Sequence, residues 1–175
     1  DVPIMLGGFS ATYFHESIMR DYPEIDFIMR GDSTEEALHE LLQTRVTGDA
    51  PHDVPNLTWR DEAGKVHINP LTNQPPTLDG VNYDFRRLMI SSIRDRDLES
   101  YVPFQGWLNY PIMPAVSCRG CVMNCVGCGG SASAFRQLHG RQQPMYRSPE
   151  KLAQDIDTIA SVSNAPVFII GDIRQ

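Results

Sequence analysis

Three cysteines in the run Cys121-Val-Met-Asn-Cys125-Val-Gly-Cys128 carry the most specific chemistry in the sequence. Three thiolates at C-x3-C-x2-C spacing sit on one short loop and can fold around a single cubane iron-sulfur cluster. Three ligands for four irons leave one iron without protein coordination, where an outside molecule can bind, whereas an electron-transfer site closes with a fourth cysteine. A fourth cysteine, Cys118, precedes the triplet, so Cys118-x2-Cys121 and Cys125-x2-Cys128 can also be read as two metal knuckles. A zinc ribbon normally separates its knuckles by ~15–20 residues, and here the separation is only Val122-Met123-Asn124. Three readings follow: an open 4Fe-4S site on Cys121, Cys125 and Cys128, a closed four-cysteine cluster that only carries electrons, and a zinc-stabilised interaction module using all four cysteines. A disulfide framework is disfavoured, because all four cysteines fall between 118 and 128 and would leave the remaining chain unstapled.

The elements that must position this loop are readable on both sides. Ile112 to Val116 reads as a buried strand leading into it. After it, Ser148-Pro149 is a helix start, and Leu152, Ile156, Ile159 and Ala160 fall on one helical face. With a strand over 167–170 this makes one βαβ unit. The first 46 residues read as strand, helix, strand, helix, which is half of a doubly wound α/β unit. Its strands are Pro3 to Leu6, ending at Gly7-Gly8, and Ile25 to Met29. The helix after Gly31 is signalled by Ser33 and Glu36 as a capping box, with Ala37, Leu38, Leu41 and Leu42 sharing a face. Between the halves, 47–110 reads as a linker with a small β-hairpin, Leu57 to Arg60 and Val66 to Ile68 flanking the turn Asp61-Glu62-Ala63-Gly64. Two short helices are expected around Asp84 to Met89 and Asp95 to Tyr101, followed by the irregular stretch Gly106 to Tyr110. No repeat or low-complexity tract interrupts this order. The chain opens inside one expected strand and closes just after another, so it is expected to be a piece of a longer protein.

The stretch Ser117-Cys118-Arg119-Gly120-Cys121-Val122-Met123-Asn124-Cys125-Val126-Gly127-Cys128 resembles the signature of the radical SAM superfamily, at the end of the first strand of its (β/α) barrel. The resemblance implies a 4Fe-4S cluster on Cys121, Cys125 and Cys128 whose open iron chelates S-adenosylmethionine (SAM), with reductive cleavage giving a 5'-deoxyadenosyl radical. Gly127 stands where the family usually has an aromatic residue near the adenine. Gly171-Asp172 lies where the family often carries a turn that hydrogen-bonds the SAM amino group, and a carboxylate suits that ammonium. The N-terminal half, through Leu6-Gly7-Gly8-Phe9 and the run from Tyr22 to Glu35, resembles the last third of the cobalamin-binding domain that precedes many radical SAM barrels. There Gly7, Gly8 and Gly31 would let the backbone approach the cofactor. The implied architecture is a partial cobalamin-binding-like Rossmann unit over 1–46, a linker over 47–110, and the start of a radical SAM barrel over 111–175. The implied parent is an enzyme with a small-molecule substrate and an electron-donor protein, catalysing methyl transfer or a rearrangement. About 60 barrel residues supply too few strands to enclose SAM and substrate, so the chain alone is expected to be inactive.

Composition fits this. The hydrophobic content is 41% and the formal charge −7, which suits a globular core and argues against an electrostatic grip on nucleic acid or anionic membrane. With no apolar run near ~20 residues and no signal-peptide pattern at the start, the reading is cytoplasmic. His15, His39, His52, His67 and His139 are scattered and read as surface or capping residues. Met5, Met19 and Met29 read as core filler, and Arg136, Arg141 and Arg147 as a solvated loop face.

Overall fold

The computed structural model describes residues 2–96, 106 and 109–171. The chain divides into two compact units, one of residues 2–75 with 120–144, the other of 76–119 with 145–171. The fold is mixed α/β throughout.

In the first unit, β1 (Met5–Leu6) pairs in parallel with β2 (Phe27–Met29). Helix α1 (Phe9–Asp21) connects them and α2 (Glu35–Thr47) follows. The hairpin β3 (Leu57–Arg60) and β4 (Val66–Ile68) appears at the expected residues, and β3 adds antiparallel to β2, giving a sheet in the order β1-β2-β3-β4. Alternation explains the two faces of this sheet. Phe27, Met29, Leu57 and Trp59 pack against Ala37 and Leu41 of α2, while Ile28 packs against Ala11 and Met19 of α1. Met19 and Met29 are therefore core residues as expected, but Met5 is exposed, on the strand at the edge of the sheet.

The start of α2 differs from the expectation. Its N-cap is Thr34, one residue beyond Ser33, and makes no side-chain capping bond, while Leu42 is exposed. The proline-rich stretch after α2 is ordered by buried asparagines. Asn69 donates to Pro51 O and Val54 O at 2.8 Å each, and Asn56 exchanges bonds of 2.9 and 3.0 Å with Asn73. Buried amides satisfy carbonyls that a loop would otherwise leave to water.

The hairpin turn rests on Asp61, whose carboxylate accepts from Ala63 N at 3.0 Å, Lys65 N at 2.9 Å and His67 Nε2 at 2.7 Å. The bond from His67, then that from Lys65, hold this carboxyl below its ordinary value of 3.8. A depressed folded pKa means the support is complete above 3.8 and lost as pH falls through the lower folded value. The protection of the Ala63 and Lys65 amides, their exchange rate relative to the intrinsic rate at each pH, should therefore fall only below that range, and Asp61→Asn should remove that fall.

In the second unit, β5 (Met113–Val116) follows α3 (Phe85–Arg94), which Asp84 caps by accepting from Arg87 N at 2.8 Å. Strand β6 (Cys118–Arg119) comes next. The first unit's helix α4 (Ala132–His139) lies in the excursion between β6 and β7 (Met145–Tyr146). Helix α5 (Pro149–Val162) and β8 (Val167–Ile170) complete the order. Ser148 caps α5 with Pro149 at its start, as expected. Strands β5 and β8 are parallel, and Met113, Ala115, Phe85 and Ile159 form the core with Leu152 and Ile156 against it. Ala160 faces solvent, and the buried position one turn before Ile159 is Asp155. Of the second helix expected at Asp95 to Tyr101, residues 97–101 lie outside the described residues, as do 107 and 108 of the stretch 106–110. Among the described residues no helix is long and apolar enough to cross a membrane.

Candidate functional site

The cysteine triplet occupies the loop between Gly120 and Ser131, in the first unit. The loop is shaped by its own backbone. Cys128 N donates to Cys125 O at 3.3 Å, Ser131 N to Cys128 O at 3.1 Å, and Ala132 N to Met123 O at 2.9 Å. Two side chains tie it to α4: Asn124 Oδ1 accepts from Ser133 N at 3.2 Å, and Ser131 Oγ caps the helix from Ala134 N at 3.3 Å. Gly120, at φ +95°, is required sterically, because a Cβ there would stand 2.9 Å from Pro144 Cα.

All four cysteines are free thiols. Cys125 and Cys128 are exposed, while Cys121 is half-buried and its Sγ accepts from Met123 N at 3.3 Å. Three free thiols of this type suit iron. Among the described residues, no three His, Cys, Asp or Glu side chains are gathered tightly enough to hold a metal ion, so the thiols share a loop without yet converging. Val122, Met123 and Val126 between them are exposed. Cys118 stands apart in kind, as a half-buried residue of β6 paired with Tyr146.

Gly171, at φ +123°, ends β8 so tightly that a Cβ would come within 2.5 Å of Ser117 Oγ and 2.7 Å of Cys118 Sγ. Only glycine fits there. Asp172 lies outside the described residues.

The N-terminal glycines are brought together by the parallel pairing of β1 and β2. Gly7-Gly8 follows β1, and Gly31 lies two residues beyond the end of β2, so both turns open on the carboxyl edge of neighbouring strands, where α/β sheets bind ligands. Gly8 has φ +91° with open space where a Cβ would be, and Gly31 has φ +108°. Gly31 N donates to Thr12 Oγ1 of α1 at 3.2 Å.

Several features of this region were not legible in the sequence. A cleft of about 380 Å³ is lined by Phe9, Ser10, Tyr13 and Phe14 of α1 with Gly129 and Gly130 of the cysteine loop and Leu138 of α4. Phe9 meets Phe135 edge-on at 5.7 Å and His139 at 4.7 Å. His139 is not a surface residue: it is 2% exposed, with neither ring nitrogen hydrogen-bonded among the described residues, and burial pushes its pKa down. Of the three arginines expected on a solvated face, only Arg136 is exposed. Arg141 and Arg147 are buried in ion pairs with Asp32 and Asp155. Phe9 and Tyr13, four apart on α1, share a helical face, a spacing that could have pointed toward the cleft.

No protein-family model matches the chain. It is 23% identical over 175 residues to the anaerobic magnesium-protoporphyrin IX monomethyl ester cyclase of Rubrivivax gelatinosus, covering 98% of this chain and 28% of that protein. It is 27% identical over 144 residues to an uncharacterized methyltransferase of Pyrococcus horikoshii, covering 80% of this chain and 28% of that protein. The chain thus spans little more than a quarter of these relatives. Among solved structures, it follows the radical S-adenosylmethionine methyltransferase TsrM of Kitasatospora setae, bound to tryptophan and a SAM analogue, with TM-score 0.60 and 11% identity over 95% of this chain and 30% of that one. It follows the cobalamin-dependent SAM radical enzyme OxsB, with aqua-cobalamin and SAM bound, with TM-score 0.56 and 16% identity over 95% of this chain and 20% of that one. Nearly the whole chain thus follows the fold of part of these two enzymes.

Proposed function

We propose that this chain is the part of a cobalamin-dependent radical SAM enzyme that joins the end of the cobalamin-binding domain to the start of the catalytic barrel. The observation that carries the reading is the C-x3-C-x2-C loop with three free thiols, set in a fold shared with radical SAM enzymes that hold cobalamin. Cys121, Cys125 and Cys128 would ligate a 4Fe-4S cluster, which with SAM supplies reductive cleavage to a 5'-deoxyadenosyl radical.

The rest is the work of the chain's own residues. Met123 N–H donates to the Cys121 sulfur, Asn124 and Ser131 pin the loop to the start of α4, and Gly120 gives the backbone its sharp entry. Gly171 keeps the end of β8 free of side chain, next to where Asp172 would meet the SAM ammonium. Gly7, Gly8 and Gly31 would receive cobalamin at the carboxyl edge of β1 and β2, with the aromatic cleft of α1 beside them. The parent's substrate is a small molecule, and methyl transfer or rearrangement is its reaction.

The test is anoxic purification and reconstitution with iron and sulfide, followed by EPR with and without SAM. About four irons per chain and a signal shifted by SAM support the reading. Zinc without sulfide, or a cluster indifferent to SAM, would replace it with an interaction module or an electron carrier.

A further inference from the structure

The ion pair between Asp32 and Arg141 joins positions far apart in the sequence and deep in the first unit. Arg141 Nε stands 2.5 Å from Asp32 Oδ2 and Nη2 3.1 Å from Oδ1, with side chains 5% and 7% exposed. The same guanidinium donates to Pro75 O at 3.2 Å and to Ser33 Oγ at 3.4 Å. A planar fork with both carboxylate oxygens engaged fixes direction as well as distance.

Each end of this pair abuts a residue of the candidate site. The Arg141 side chain lies against Gly120, where a Cβ would meet its Cδ at 3.6 Å, and Gly120 is the residue immediately before Cys121. Asp32 directly follows Gly31, whose N–H is held by Thr12 of α1. A continuous line of contacts therefore runs from the root of the cysteine loop through Arg141 and Asp32 to the glycine turn after β2. We infer that Arg141 is a positioning residue that fixes the root of the cysteine loop against the Gly31-Asp32 turn. Its consequence for a cluster rests on the proposed function; its effect on the thiols does not.

The experiment compares alkylation of Cys121 with that of Cys125 in the chain without metal, by peptide mass spectrometry, alongside the melting temperature. Cys121, half-buried and bonded from Met123 N, should react several-fold more slowly than exposed Cys125. Arg141→Met keeps the aliphatic stem but loses the fork, and should bring the two rates to within about two-fold of each other. Arg141→Lys should fall between. The double variant Arg141→Met with Asp32→Leu removes both charges, so the melting temperature should recover while the rate ratio stays collapsed. A purely structural pair would restore both together, and that result, or an unchanged ratio in Arg141→Met, overturns the inference. Should the single variant fail to fold, the double variant alone decides. In reconstituted protein the same variants should broaden the EPR signal at unchanged iron content; absence of any cluster in the unaltered chain would count against the proposed function and leave the alkylation result standing.

Discussion

Single replacement of Cys121, Cys125 or Cys128 by alanine is expected to lower reconstituted iron from about four atoms per chain to below about one, whereas Cys118→Ala should retain the full content and the SAM-dependent change in EPR. The argument rests on the different settings of the four thiols. Cys121, Cys125 and Cys128 sit on one loop free to close around a cluster, two of them exposed and the third held by a backbone N–H. Cys118 belongs to a strand, paired with Tyr146, and its sulfur fills the space that Gly171 leaves at the end of β8. A cubane held by three thiolates does not survive loss of one of them, because two ligands cannot hold four irons against solvent. Removing Cys118 should cost only local packing. Iron and acid-labile sulfide analysis, with circular dichroism as the control for folding, reads the result directly. Equal loss in Cys118→Ala would mean a closed four-cysteine site without an open iron, and SAM chemistry would then have no place to begin.

The sequence was legible where one local rule governs. The hairpin Leu57–Arg60 with Val66–Ile68 lies where its turn and alternation put it, because the side chain of Asp61 specifies the turn from within. The parallel pairing of Met113–Val116 with Val167–Ile170 follows from apolar strands flanking a capped helix. The spacing of the cysteine triplet is likewise a local property, and all three cysteines lie on one loop before α4. What failed was anything decided by distant partners. Leu42 has the right helical spacing and stays exposed because the sheet face covers Ala37 and Leu41 and, in part, Leu38. Arg141 and Arg147 look like solvated loop charges until Asp32 and Asp155 are seen to meet them. His139 reads as a surface residue until Phe9 and Phe135 enclose it. Charged residues signal exposure by default, and only the tertiary fold reveals which have been paired and buried.

The second large effect is expected at Arg147 and Asp155, 1% and 9% exposed in the second unit. Arg147 Nη2 donates to Asp155 Oδ1 at 2.8 Å and Nη1 to Leu78 O at 2.5 Å, and its guanidinium lies over the Tyr83 ring at 5.0 Å. Arg147 N also bonds Ser117 O at 2.8 Å, so the residue secures the strand that follows the cysteine segment to the one that precedes it. Asp155→Leu would leave a guanidinium buried without its counter-charge, at a cost of about 3–5 kcal/mol. Against a typical total of about 5–15 kcal/mol, that is enough to unfold much of the population at physiological temperature. Arg147→Met with Asp155→Leu removes both charges at similar volume, and such a swap is commonly neutral or better, so the double variant should regain most of the loss. Urea midpoints of the unaltered chain, the single variant and the double variant provide the comparison. Recovery in the double variant would establish that the penalty is the stranded charge. If it remains as unstable as the single variant, the geometry itself, the fork reaching Leu78 O and the face of Tyr83, holds the two strands in place, and the pair is part of the scaffold from which the cysteine segment departs and to which it returns.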